Sequence, residues 1–163
     1  LKQIHQGGGL EIKVADAHEV INRYQEFLRT KTNLDLKDAF RRLHLFMESQ
    51  FGQTHLYPYQ VTKDDGNALL YGIYGKDRHR IYNFMTAVTQ EGRSAHASVF
   101  ALDHLIKTHA GTNPNLNLNL KLDFMGSKIP GVRSFIESFG AVNRPYYLYH
   151  FNHLPWPLRL LKK

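Results

Sequence analysis

Apolar residues recur at two spacings along this chain, and the spacing changes several times. After the flexible Gly7-Gly8-Gly9 break, Leu10–Ala15 alternates weakly and predicts a short strand. Asp16 stands three before Glu19, the capping-box spacing with Asp as the cap. Val20, Tyr24, Phe27 and Leu28 follow at helical spacing, so a helix is expected over 17–30. Asp35 can cap a second helix with Leu36, Phe40, Leu43 and Met47 on one face, ending near Phe51-Gly52. From His55 the period shortens. His55–Val61, Ala68–Tyr74 and Arg80–Val88 are rich in β-branched and aromatic residues and predict an antiparallel meander of three strands. Asp64-Asp65-Gly66-Asn67 supplies one hairpin turn, because Asp-Gly and Gly-Asn tolerate positive φ; Gly75-Lys76-Asp77-Arg78 supplies the next.

Gln90–Ser94 then interrupts the strand pattern. A helix is expected over 95–110, with Val99, Leu102, Leu105 and Ile106 as its apolar positions and Gly111 as its stop. Leu116, Leu118, Leu120, Leu122 and Phe124 alternate with Asn117, Asn119, Lys121 and Asp123, the cleanest strand pattern in the chain. Pro130 suits the first turn of a helix carrying Val132, Phe135, Ile136 and Phe139, with Gly140 at its end. Pro145–Phe151 predicts a last strand, and the two prolines in Leu154–Leu158 keep the tail irregular. The order is β-α-α-β-β-β-α-β-α-β, an α+β class. Residues 1–9 read as a linker or ragged start and 10–163 as a single domain.

Composition narrows the class. The 163 residues suit one domain, and 42% hydrophobic with 21% charged is ordinary for a globular chain. There are no cysteines, which excludes disulfides, thiolate metal sites and a cysteine nucleophile. No run approaches the length of a membrane helix and no signal peptide opens the chain, so the cytoplasm is the expected location. A formal charge of +7 favours anionic partners such as nucleic acid or phosphorylated cofactors.

The junction of strand 80–89, turn 90–94 and the following helix is the most informative. A strand that feeds a Gly-containing turn into a helix start presents free N–H groups at the positive end of the helix dipole, a phosphate seat. Gly92 would let the backbone come close, Arg93 adds charge and Ser94 a hydroxyl. The same residues also make an ordinary strand-to-helix turn with Ser94 as its cap.

The order of elements resembles the GCN5-related N-acetyltransferase (GNAT) fold, a mixed, splayed sheet that binds acyl-coenzyme A. Thr86–Ala97, together with Leu122-Asp-Phe-Met-Gly-Ser-Lys-Ile-Pro-Gly-Val-Arg-Ser-Phe-Ile-Glu-Ser-Phe-Gly-Ala141, is similar to the FemAB-like branch of bacterial acetyltransferases. The likeness spans roughly residues 35–160. It implies that the coenzyme pyrophosphate rests on Gln90, Glu91, Gly92, Arg93, Ser94 and Ala95. The family pattern is Arg or Gln, two residues, Gly, one residue, then Gly or Ala; read from Gln90, the Gly here is one position early, and Glu91 adds a negative charge. The pantetheine arm would pair with the main chain near Ala87 and Val88, in a wedge between strands 80–89 and 117–124. The implied chemistry is transfer of an acyl group from acetyl-coenzyme A, or another acyl-coenzyme A, to a small amine. Tyr147 or Tyr146 would be the acid, Ser127 a supporting donor, and Asp123 the group that binds or deprotonates the amine. Each has an ordinary alternative: Tyr147 in the core, Ser127 as a helix cap, Asp123 in a turn.

Two alternatives stand beside this. FemAB-like proteins include enzymes that take their acyl group from aminoacyl-tRNA, which the basic charge would also suit. A non-catalytic binding domain that keeps the fold is the other. FemAB-like proteins commonly pair two copies of the fold and this chain starts at Leu1, so a homodimer or a further N-terminal domain is expected. Tyr71, Tyr74, Tyr82 and Phe84 interleave with Lys76, Arg78 and Arg80, as on a base-stacking sheet, but packing of a sheet core is the expected reading. Among the ten histidines, neither His150/His153 nor His104/His109 has a metalloprotease spacing, and no metal is expected. Ser127 lacks the Gly-x-Ser-x-Gly context of a hydrolase. The apolar tail Leu154–Leu161 is expected to pack across the sheet rather than on a membrane, with Trp156 as its anchor.

Overall fold

Asp16 separates the first two elements as its spacing predicts. Its carboxylate accepts from the Glu19 N–H at 2.9 Å and starts helix α1 (Ala17–Arg29) directly after strand β1 (Leu10–Val14). The computed structural model describes residues 9–32, 35–109, 120–125 and 130–144, in two compact units, Leu1–Met125 and Gly126–Lys163.

The first unit is built on one sheet in the order β1-β2-β3-β4-β5. Strands β2 (Leu56–Lys63), β3 (Ala68–Lys76) and β4 (Arg80–Val88) form the expected antiparallel meander, and β1 pairs with β2. In the first hairpin turn Gly66 sits at φ +82°, and the Asp65 carboxylate accepts from the Asn67 N–H at 2.8 Å. Strand β5 (Lys121–Asp123) joins β4 in parallel. Residues 110–119, which carry most of the alternating Leu/Asn run, lie outside the described residues.

Helices cover both faces. On one, Val20 and Ile21 of α1 and Phe40 and Met47 of α2 (Lys37–Glu48) pack on Leu56, Ile73 and Met85. On the other, Ala97 and Ala101 of helix α5 (Ala97–His109) rest on Tyr59, Val61, Leu69 and Leu70. Alanines at these positions let the helix lie close to the strands. Tyr71 and Phe84 pack against the first core and Tyr74 against the second, so three of the four aromatics between the basic residues fill the interior. The hydroxyl of the fourth, Tyr82, donates to Asp77 at 2.7 Å.

Two elements depart from expectation. The second helix does not run to Phe51: it stops at Glu48, and helix α3 (Gln50–His55) restarts after Ser49. Ser49 is extended, and its hydroxyl accepts from the Gly52 N–H at 3.1 Å, so a good cap interrupts a good helix. The break at 90–94 is not an open turn but a short helix, α4 (Gln90–Ser94).

The second unit contributes α6 (Pro130–Glu137), which starts at Pro130 as predicted. Arg133 pairs with Glu137 at 2.8 Å, and Gly140 follows at φ +78°. Among the described residues no helix is long and apolar enough to cross a membrane.

Candidate functional site

The sheet opens between its two parallel strands. β5 pairs with β4 only from Arg80/Lys121 to Tyr82/Asp123. Among the described residues, no strand pairs with β4 on that side from Asn83 to Val88. A bulge coincides with the parting: Ile73 of β3 faces Met85 while Tyr74 faces Asn83, so Phe84 is an extra residue in β4. A bulge bends and twists its strand, and this one falls directly past the last β4–β5 pair. Among the described residues this leaves an unpaired main-chain edge at the carboxyl end of two parallel strands, the place where open sheets of this kind take ligands.

That edge leads into α4. Thr89 caps this helix: its hydroxyl accepts from the Gly92 N–H at 2.9 Å and donates to the Leu69 carbonyl at 3.1 Å, while its own N–H donates to the same carbonyl at 2.9 Å. Gly92 is buried, and a Cβ there would collide with the Leu69 carbonyl oxygen and meet the Val88 side chain at 3.0 Å. Glu91 is held by Lys63 and by the Asn67 side-chain amide, the latter at 2.9 Å. Its carboxylate raises the Lys63 ammonium above the usual lysine range. The turn is thus fastened to the β2–β3 hairpin at three points.

The sequence pointed to Gln90–Ala95 as a phosphate cradle, and the main chain there is largely occupied. Gly92 N–H goes to Thr89 Oγ1, and Arg93 N–H to the Thr89 carbonyl at 3.1 Å. Ala95 N–H goes to Glu91 at 2.9 Å and His96 N–H to Arg93 at 3.1 Å. Ser94 Oγ turns back to the Gln90 carbonyl at 3.4 Å rather than capping the next helix. Gly92 therefore serves close packing against a strand. The α5 start lies one step further on: the Val99 and Phe100 N–H groups go to the His96 carbonyl at 3.0 Å, and those of Ala97 and Ser98 have no acceptor among the described residues. His96 introduces α5 at φ +54°, a left-handed conformation uncommon outside glycine. Arg93 is exposed beside it, with no acidic partner among the described residues. Residues 96–98, which the sequence reading passed over, follow Arg93 with a left-handed residue third and a small one fifth; only the backbone shows this, because His96 gives no sign of positive φ in the sequence.

Of the other expected site residues, Ala87 and Val88 lie on the open part of β4. Asp123 lies at the end of β5, but its carboxylate is engaged: Arg80 Nη1 donates to it at 3.0 Å and the Met125 N–H at 2.9 Å. That arrangement is a strand-end turn with an ion pair. Ser127, Tyr146 and Tyr147 lie outside the described residues.

The side chains around the edge have distinct electrostatics. Burial pushes the Tyr59 hydroxyl up to about 12, so it stays a neutral donor. Asp77 is held below the usual carboxylate range by the His79 N–H first and by Tyr82 next. His109, at the end of α5, is pulled down by burial and by the neighbouring Lys76. Among the described residues no group of three or more metal-ligating side chains comes together.

The sequence matches no protein-family model and no curated protein. Solved structures do match. A protein from Clostridium acetobutylicum assigned as an acetyltransferase and crystallised with acetyl-CoA aligns with TM-score 0.60 at 13% identity, over 89% of this chain and 99% of that one. One from Pyrococcus furiosus assigned as an acetyl transferase gives 0.61 at 11%, over 88% and 99%. An aminoglycoside 6'-N-acetyltransferase from Acinetobacter baumannii gives 0.57 at 9%, over 90% and 100%. At such identities the likeness is one of architecture: this chain has the α+β fold of the GCN5-related N-acetyltransferases.

Proposed function

We propose that the protein transfers an acyl group from acetyl-coenzyme A, or a related acyl-coenzyme A, to an amine. The observation that carries this reading is the β4 edge from Asn83 to Val88, unpaired among the described residues and followed through α4 by the start of α5. An extended pantetheine arm would add to that edge as a strand would, near Ala87 and Val88. The pyrophosphate would lie on the Ala97 and Ser98 amides at the start of α5, with Arg93 as its countercharge. Read from Arg93 rather than Gln90, the spacing is kept while two residue types differ: Arg93, two residues, His96 in a left-handed conformation where the pattern has Gly, Ala97, then Ser98 where it has Gly or Ala.

The amine lone pair attacks the thioester carbonyl carbon and forms the C–N bond. The carbonyl π pair moves to oxygen and on its return expels the thiolate, which takes up the proton the nitrogen gives up. Tyr147 or Tyr146 would pass that proton, with Ser127 as a supporting donor. Asp123, held by Arg80, would orient the acceptor rather than deprotonate it. The resemblance of Leu122–Ala141 supports placement in the FemAB-like branch and a small amine as acceptor.

Thermal unfolding with acetyl-coenzyme A, against adenosine nucleotides as controls, tests the reading. Ligand at 100 times its dissociation constant adds about 2.7 kcal/mol, roughly a 5–10 °C rise for a chain of this size. No coenzyme-specific rise would refute it. An aminoacyl-tRNA donor would instead show as tRNA binding that weakens steeply with salt.

A further inference from the structure

Three residues form one row across the middle of the sheet. Tyr59 of β2 pairs with Gly72 of β3, and Gly72 pairs with Thr86 of β4. Gly72 carries no side chain because the Tyr59 ring lies over it: a Cβ at that position would stand 2.5–2.6 Å from the ring edge and hydroxyl. The ring thereby spans a whole strand, and its hydroxyl meets Thr86 on the far side. Tyr59 is only 5% exposed, so this reach is fixed by the interior and not by chance contact at the surface.

The bulge extends the row by one residue. On an unbroken strand, positions 83 and 86 face opposite sides. The extra residue Phe84 resets the alternation: Phe84 and Met85 both pack toward the α1–α2 core. Asn83 and Thr86 are left together, and the Thr86 hydroxyl donates to Asn83 Oδ1 at 3.2 Å. The Thr86 proton is committed to Asn83, and the Tyr59 hydroxyl reaches Thr86 across Gly72. The donation from Thr86 to Oδ1 fixes which way the Asn83 amide is turned. Oδ1 is taken by Thr86, and the Nδ2 protons have no acceptor among the described residues. Asn83 is also the first residue of β4 past the last pair with β5.

We propose that Asn83 donates to the acyl carbonyl oxygen of the bound thioester, and that Tyr59, acting through Thr86, is its positioning residue. The proposal rests on the acyl-coenzyme A reading above. An arm lying along the open edge puts its thioester toward the narrow end of the wedge, beside Asn83. When the amine attacks, the carbonyl π pair moves to oxygen, and the Asn83 N–H is already aimed at the charge that develops there. No proton leaves Asn83; the negative charge returns to the carbon as the C–S bond breaks.

The test needs no acceptor amine. Binding of acetyl-coenzyme A labelled with 13C at the carbonyl, and of coenzyme A itself, is measured for the full chain and for Asn83→Ala, Asn83→Asp and Tyr59→Phe. The native protein is expected to prefer the acetylated form by about fivefold, the worth of one hydrogen bond, and to lower the carbonyl stretching frequency on binding. Both Asn83 variants should keep the affinity for coenzyme A and lose the preference and the shift. Tyr59→Phe should keep the affinity and show a smaller shift, which loss of packing alone would not produce. If Asn83→Ala does not fold, the near-isosteric Asn83→Asp carries the test. A preference and shift that survive in the Asn83 variants would overturn the assignment while leaving the coenzyme reading intact. Failure of the native chain to bind either form would overturn both.

Discussion

Substitution of Gly92 by alanine separates packing from ligand approach at the turn after β4. In an ordinary helix position Gly→Ala stabilises by about 1 kcal/mol. Here the added methyl would run into the Leu69 carbonyl, a backbone atom of the central strand β3, with the Val88 side chain 3.0 Å away. Neither the strand nor the helix can give way cheaply, because Thr89 fastens one to the other through its N–H at 2.9 Å and its hydroxyl at 3.1 Å. Overpacking of this kind costs about 1–3 kcal/mol, and straining the Thr89 bonds adds about 0.5–1.5 kcal/mol for each one lost. After the propensity gain is subtracted, a net loss of about 2 kcal/mol remains, a fall of roughly 4–8 °C in melting temperature. Gly131 is the matched control, since a Cβ there meets nothing within 4 Å in helix α6. Gly131→Ala should be neutral or raise stability by up to about 1 kcal/mol. Urea and thermal unfolding of both variants read the difference. If Gly92→Ala melts at or above the native temperature, the strand is not the obstacle, and the glycine returns to being a residue that lets a ligand approach.

Other outcomes follow from the same geometry. Thr89→Ala removes the cap of α4 and a bond to Leu69, so it should cost about 1–2 kcal/mol in denaturant unfolding, whereas Thr89→Ser should cost little. Glu91→Gln takes away the acidic charge beside Arg93 and frees Lys63; coenzyme A should bind more tightly, most clearly at low salt, and an unchanged Kd would place the phosphates elsewhere. The folded-state pKa of His109 lies below its ordinary value of 6.5. Its stabilising contribution is therefore complete above that value and is lost as pH falls through the folded one. Melting temperature should drop on mild acidification, and His109→Gln should flatten that part of the profile; an equal slope in the variant would assign the effect to another group.

Local chemistry was readable where a residue's partner lies within a few positions. Asp16 with Glu19, the Asp64–Asn67 turn, the bounds of β4 and the Pro130 helix start all follow from short-range spacing. Ser49 was readable too, as a cap with Gly52 three residues on, but the apolar face of the second helix masks it. What escaped the sequence depends on partners far along the chain. Gly92 signals only that no side chain fits; that Leu69 stands against it needs the strand beside it. Asp123 looks like a free carboxylate until Arg80, 43 residues earlier, is brought alongside. The bulge at Phe84 leaves no mark in an aromatic-rich strand, yet it determines which side chains share a face at the wedge.

Among the described residues the ladder between β4 and β5 is three residues long, while β2 and β3 are matched almost end to end. Cooperativity within the sheet is therefore uneven. Opening the β4–β5 seam breaks a few bonds near one rim, whereas parting β2 from β3 dismantles both cores. Backbone amides of Lys121–Asp123 should exchange with solvent through local opening, and those in the middle of β3 only when the whole unit unfolds. A molecule seated across the seam would hold both strands at once, so occupancy should slow exchange at the rim by far more than it slows exchange at the centre. The width of the wedge is thus a thermally fluctuating quantity, set by the few contacts that close its narrow end.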